Sequence, residues 1–220
     1  MRFAASFLAV LLSGTLGAAS PERFDLIVRG GTVYDGTGAP GRVADLGVRG
    51  DRIAAVGDLS QAQAAKVVDA TGMAVAPGFI NMLSWAVDSL IADGRSMSDL
   101  KQGVTLEIFG EGWSMGPLND AMKKEAKEQQ GDIKYTIDWT TLGGYLDRLV
   151  ARGVSANVAS FVGATTLRIH ELGYADREPT AKELTRMMGL AREAMKEGAL
   201  GIGASLIYAP AFYAKTPELL

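Results

Sequence analysis

Cysteine does not occur in the 220 residues, and histidine occurs once, as His170. The first absence excludes disulfides, thiolate metal sites, cysteine nucleophiles and a lipid anchor on a cysteine. The second bears on any metal centre, because imidazole is the commonest metal ligand. A basic stripe is also missing. The 22 Lys and Arg are spread along the chain against 25 Asp and Glu, for a net charge of −3, so nothing points to a nucleic-acid surface. No apolar run reaches the roughly twenty residues of a spanning helix. What is there is globular in balance, with 48% hydrophobic and 21% charged residues. The 27 glycines suit a chain with many strand–helix turns.

Residues 1–20 read as a cleaved export signal. Arg2 supplies the positive start, Phe3 to Leu12 an apolar stretch, and Gly17, Ala18, Ala19 and Ser20 a small-residue cleavage zone. The expected compartment is periplasmic or extracellular, with no stable membrane anchor.

Residues 24–72 alternate short strands with glycine turns: Phe24–Arg29, Thr32–Tyr34, Ala44–Val48, Arg52–Gly57 and Val67–Ala70. This unit is too thin to bury a core by itself. The pattern changes at residue 73. Met73 to Ile80 is an apolar run of the kind a strand buried on both faces requires. Helices are expected over Asp88–Gln102, from Asn119 or Asp120, over Thr136–Ala151, and over Thr180–Lys196 with Glu183 at capping-box spacing. Strands are expected at Val104–Phe109, Ala156–Val162 and Leu200–Leu206. Such alternation makes βαβ units on a parallel sheet with right-handed crossovers. Periodicity alone slightly favours a flavodoxin-like open sheet, since a complete (β/α)8 barrel needs about 250 residues.

Particular residues shift that balance. Asp25-Leu-Ile-Val-Arg-Gly-Gly-Thr-Val-Tyr-Asp-Gly-Thr-Gly and Ala74-Val-Ala-Pro-Gly-Phe-Ile resemble the opening segments of the amidohydrolase superfamily. Asn157-Val-Ala-Ser-Phe-Val-Gly-Ala-Thr-Thr-Leu-Arg and Glu197-Gly-Ala-Leu-Gly-Ile-Gly-Ala-Ser-Leu-Ile-Tyr-Ala-Pro resemble strands three and four of its N-acyl-D-amino-acid deacylase branch. The resemblance spans Phe24 to Leu220. It implies an α/β fold: residues 24–72 in a composite β-sandwich, and residues 73–220 as units one to four of a TIM-type (β/α)8 metallo-hydrolase barrel. It also implies a longer protein. Zinc-bound water would cleave the amide of a small N-acyl amino acid, and the histidines of strands five and six and the catalytic Asp would lie beyond Leu220.

This chain departs from the family at the metal. A hydrolytic zinc needs three protein donors and an open position. Where the family carries Asp-x-His-x-His, this chain has Asn81, Leu83 and Trp85; its Gly-Asn-Cys-Gly corresponds to Gly110-Glu111-Gly112. A two-metal centre is not expected, and Glu111 is the one candidate ligand for a single zinc. Strand alternation puts Thr105, Glu107, Phe109 and Glu111 on one face and Val104, Leu106 and Ile108 on the other. The aliphatic set suits helix packing, so Glu107 is expected inside the barrel, there paired or protonated. Trp113, Ser114 and Met115 are candidates for an acyl pocket. Tyr208, Tyr213 and Arg168 are candidates for substrate contact, with an exposed helix-start arginine as the alternative for Arg168. His170 reads as a surface residue. Two functions compete: a metal-dependent deacylase, and a non-catalytic barrel that binds a small amide or a protein partner.

Overall fold

The computed structural model describes residues 22–220, so the expected export signal lies outside the described residues. Two compact units divide after Pro77.

In the first unit, strands β1 (Arg23–Val33), β2 (Arg42–Arg49), β3 (Arg52–Gly57) and β4 (Gln63–Asp69) form a sheet in the order β3-β2-β1-β4, and β5 (Ala74–Val75) also pairs with β1. The two stretches expected as separate strands around Gly30-Gly31 are one continuous strand. Its register shifts between Val28 and Gly31, where Gly30 takes φ +73° and donates its N–H to Asp45 Oδ1 at 2.9 Å. A glycine bulge carries the turn geometry without ending the ladder. The core is small, formed by Phe24, Ile27 and Leu59.

The second unit carries the strand–helix alternation. Met73 to Ile80 is not one buried strand: its first part is β5, and its last part opens β6 (Phe79–Asn81), where Phe79 and Ile80 are more than half exposed. The helix expected over Asp88–Gln102 is two short ones, α1 (Ser89–Ala92) and α2 (Met97–Leu100). Asp93 and Arg95 close a side-chain turn between them, and Ser96 has left-handed φ 47°. β7 (Val104–Phe109) falls at the expected residues. α3 (Asp120–Glu128) is capped by Asn119, whose side chain accepts from Met122 N–H.

α4 covers only Leu142–Arg152, because Thr141 caps it and the preceding ten residues are irregular. Strand three is divided at Phe161 into β8 (Asn157–Ser160) and β9 (Val162–Gly163). α5 (Ala164–Leu172) follows, then α6 (Ala181–Lys196) with the expected Thr180–Glu183 capping box. β10 is brief, Ile202–Gly203; a 3-10 turn at Ala211–Tyr213 and α7 (Thr216–Leu219) come last.

Strands β6, β7 and β8 pair in parallel in chain order, and β10 pairs in parallel with β9. A flavodoxin-like sheet instead places its first strand between the second and third. The open-sheet order favoured by periodicity is therefore not the one found. The sheet is not closed. Helices α1, α3 and α4 cover it through a core centred on Phe109, Trp139, Tyr145 and Leu149.

Candidate functional site

The loop after β6 (82–88) and the loop after β7 (110–116) line one small cavity, about 90 Å³, at the carboxyl ends of adjacent parallel strands. Leu83, Trp85 and Val87 contribute one side, Glu111, Trp113 and Met115 the other. In open α/β sheets this end of the strands is where ligands bind. Among the described residues, Glu111 is the only ionisable side chain lining the cavity.

Both loops are fixed from below. Ser84 donates its N–H to the Ile108 carbonyl at 2.9 Å and its hydroxyl to Glu107 Oε2 at 2.8 Å, and it accepts from Ala86 N–H. The buried Tyr145 hydroxyl donates to Val87 O at 3.0 Å, and burial holds that phenol far above its usual pKa. On the second loop, Ser114 N–H donates to Thr166 Oγ1 at 2.8 Å, its hydroxyl donates to Gly116 O at 2.6 Å, and that hydroxyl accepts from Gly163 N–H. Trp139 Nε1 donates to Met115 O at 2.6 Å.

The backbone around Glu111 is crowded. Gly110 turns the chain with φ +88°, and a Cβ there would lie 2.1 Å from Phe161 O. A Cβ on Gly203 would meet Gly110 O at 2.2 Å and Glu111 O at 2.7 Å. Glycines at both positions let the strand ends close around the Glu111 backbone.

The two faces of β7 are the reverse of those expected. Phe109 packs edge-on to Tyr145 of α4 at 6.5 Å, and Glu107 accepts from Ser96, the residue before α2. The set containing Glu107 therefore packs under the helices. Glu107 is fully buried there, held by the hydroxyls of Ser84 and Ser96 at 2.8 and 2.6 Å. Alternation separated the faces correctly, but one charged residue cannot say which face is inside.

The other candidates scatter. Arg168 is neither at an exposed helix start nor open to a substrate carboxylate. It is 1% exposed within α5, paired with Glu218 and donating to the carbonyls of Ala175 and Arg177. It lines a separate apolar cavity with Leu167, Met187 and Ala204. Ser114 lies under the site, its donors and hydroxyl oxygen already engaged, while Trp113 is 44% exposed at its wall. Tyr208 is exposed, and Tyr213 packs on Phe212; neither lines the Glu111 cavity. His170 bonds Glu171 through Nδ1 at 3.0 Å. Leu83 and Trp85, read from sequence only as lost ligands, are cavity walls. Their alignment with the family's ligand positions was the signal.

Among the described residues, no group of three His, Cys, Asp or Glu is placed to hold a metal. Asn81 spends Oδ1 on Leu83 N–H at 3.2 Å, and Leu83 and Trp85 offer no donor. With Glu111 alone, these residues do not fit a zinc centre.

Fold and site together define an α/β protein whose cleft is built at the ends of parallel strands. No family model matches the chain. D-aminoacylase of Alcaligenes xylosoxydans xylosoxydans is 39% identical over 209 residues, 93% of this chain and 42% of the relative. N-acyl-D-glutamate deacylase of the same organism is 37% identical, covering 90% of this chain and 40% of the relative. A D-aminoacylase structure, solved in work on its binuclear metal centre, superposes with TM-score 0.80 at 40% identity, over 89% of this chain and 41% of that one. The N-acyl-D-glutamate deacylase of Bordetella bronchiseptica, complexed with zinc and a phosphonate inhibitor, gives 0.78 at 33%, over 90% of this chain and 42% of that one. The chain belongs to the amidohydrolase superfamily, in its D-aminoacylase and N-acyl-D-amino-acid deacylase branch. It spans about two-fifths of the length of the relatives it matches.

Proposed function

We propose that the complete protein is an amide hydrolase that removes the acyl group from N-acyl-D-amino acids. The observation that carries this is 39% identity to D-aminoacylase over 93% of the chain, with the walled cavity at the strand ends. On this reading, β6 to β10 are the first four positions of a (β/α)8 barrel, and their order along the sheet supports it. Residues 1–20 export the protein to the periplasm or beyond.

Zinc is present in one relative's structure, but Glu111 alone does not make a site for it. The proposal therefore gives residues 22–220 the task of holding and desolvating substrate, and derives no bond-breaking step from them. The substrate is a small molecule. Among the described residues no helix is long and apolar enough to cross a membrane.

The test is acetate release from N-acetyl-D-amino acids by protein expressed from its whole reading frame, with L-enantiomers in parallel. Turnover confined to the D-series is expected. No turnover by protein that still binds the same amides would replace this reading with a non-catalytic binding barrel.

A further inference from the structure

The loop after β7 borders two separate cavities of about 90 Å³ each, and Trp113, Ser114 and Met115 line both. The first is the strand-end cavity that holds Glu111. The second lies against α3, with walls from Leu118, Met122 and Ile137. We propose that Trp113 fixes the length of the acyl chain this protein accepts. The first cavity takes a short acyl group; Trp113, with Met115, closes off the second, which would hold the end of a longer one. The proposal rests on the deacylase reading above and names the part of the substrate that this site measures.

Charge orients the substrate. An N-acyl amino acid has one anionic end, the carboxylate, and one neutral end, the acyl group. Among the described residues lining the first cavity, Glu111 is the one ionisable side chain, with no cation beside it. Like charges brought together are disfavoured, so the carboxylate points away and the acyl group enters.

The second cavity makes no polar demand. Four polar side chains line it, Ser114, Glu125, Gln129 and Tyr135, and each is already bonded within the protein. The Ser114 hydroxyl donates to Gly116 O at 2.6 Å, and the Tyr135 hydroxyl to Asp88 Oδ1 at 2.5 Å. Glu125 accepts from the Tyr174 hydroxyl at 2.6 Å and from Gln129 Nε2 at 2.9 Å. What remains is hydrocarbon wall, which favours methylene groups over water. Each methylene buried there is worth about fourfold in affinity.

The partition between the cavities is tied down. Ser114 N–H donates to Thr166 Oγ1, and Met115 O accepts from Trp139 Nε1, whose ring stacks on Tyr135 with centroids 6.1 Å apart. Swinging the loop aside for a long chain would break these bonds, so length is set by the Trp113 ring itself.

The test uses protein from the whole reading frame and straight-chain N-acyl derivatives, acetyl to octanoyl, of one D-amino acid. Release of the free amino acid gives kcat/KM, and isothermal titration on the same samples gives affinity. Wild type should favour the short chains. Trp113→Ala should raise the octanoyl-to-acetyl ratio by about tenfold or more, whereas Trp113→Phe should keep it near wild type. Should Trp113→Ala not fold, Trp113→Leu takes its place. Ala126→Phe, which fills the second cavity from α3, should cancel the gain when added to Trp113→Ala. A wild type that already prefers octanoyl, a ratio indifferent to Trp113→Ala, or a gain that persists beside Ala126→Phe overturns the proposal. No turnover, with a ratio of affinities that still follows Trp113, removes deacylation and keeps the length rule. Neither cleavage nor binding of any member of the series defeats both.

Discussion

Glu107 is fully buried, and two serine hydroxyls hold its side chain in the interior. Those serines belong to segments with separate tasks: Ser84 sits between the cavity residues Leu83 and Trp85, and Ser96 is the left-handed residue that starts α2. One side chain thus ties the first cavity loop and a helix start to the middle of a strand. Removing it strands both hydroxyls, and hydrogen bonds to charged groups contribute about 1.5–3 kcal/mol each. Glu107→Ala should therefore destabilise the fold by about 3 kcal/mol in urea denaturation, with Glu107→Gln costing less than half as much. Equal effects would show that neither the filled volume nor the remaining amide oxygen contributes, and only the carboxylate does. Arg168 presents the same physics with a partner. Taking either member from a buried ion pair leaves an unpaired charge, at a cost of about 3–5 kcal/mol. Arg168→Met should show that loss, and adding Glu218→Leu should restore most of it; a purely additive double variant would contradict the pairing.

At the scale of elements, two turns show how local chemistry sets boundaries. Thr180 and Glu183 close a reciprocal capping box on α6, with Arg177 bonded to the same carboxylate. Hydrogen bonds from Arg177 and Thr180 hold that carboxyl far below its usual range. Replacing such a cap with alanine costs about 1 kcal/mol, so Thr180→Ala should lower the free energy of unfolding by that amount and no more. Between α1 and α2, hydrogen bonds from the Arg95 side chain and backbone lower the Asp93 pKa to about 2. A carboxyl held below its unfolded value of 3.8 stabilises the native state above that pH. The contribution fades as the pH falls from there through about 2. The difference in melting temperature between wild type and Asp93→Asn should accordingly be constant above about pH 5 and shrink as the solution is acidified further. A difference independent of pH would sever the Asp93–Arg95 contact from stability.

For the whole molecule, parallel strands taken in chain order leave the faces of β6 and β10 uncovered: Phe79, Ile80 and Ile202 are each more than half exposed. Apolar strand surface in that state favours association. The described residues also hold no cluster of metal ligands. Residues 1–220 expressed by themselves should thus release no acetate from N-acetyl-D-amino acids, and should bind a hydrophobic dye more strongly than protein from the whole reading frame. Turnover by the 220-residue chain would require chemistry that none of the described side chains suggests.

The sequence by itself determined what is written in local patterns: β3 and β7, the capping box of α6, and the alternation of strand and helix. Its family resemblance carried through, because closely spaced motifs survive at 39% identity. It also located Glu111 and Trp113 as neighbours on one loop. Tertiary structure decided the rest. Which face of β7 packs on helices depends on Tyr145 and Ser96, residues remote in sequence or on another element. Arg168 suits a substrate contact by its place in the sequence, but in the folded chain it pairs with Glu218, fifty residues away. Helix-length stretches at 88–102 and 136–151 were shortened by an Asp–Arg turn and by the Thr141 cap. Periodicity registers which residues suit a helix, whereas capping and packing decide where it starts. Leu83 and Trp85 are the clearest case. In sequence they are ligands lost; in the folded chain they line one cavity with Glu111, because adjacent parallel strands bring their following loops together.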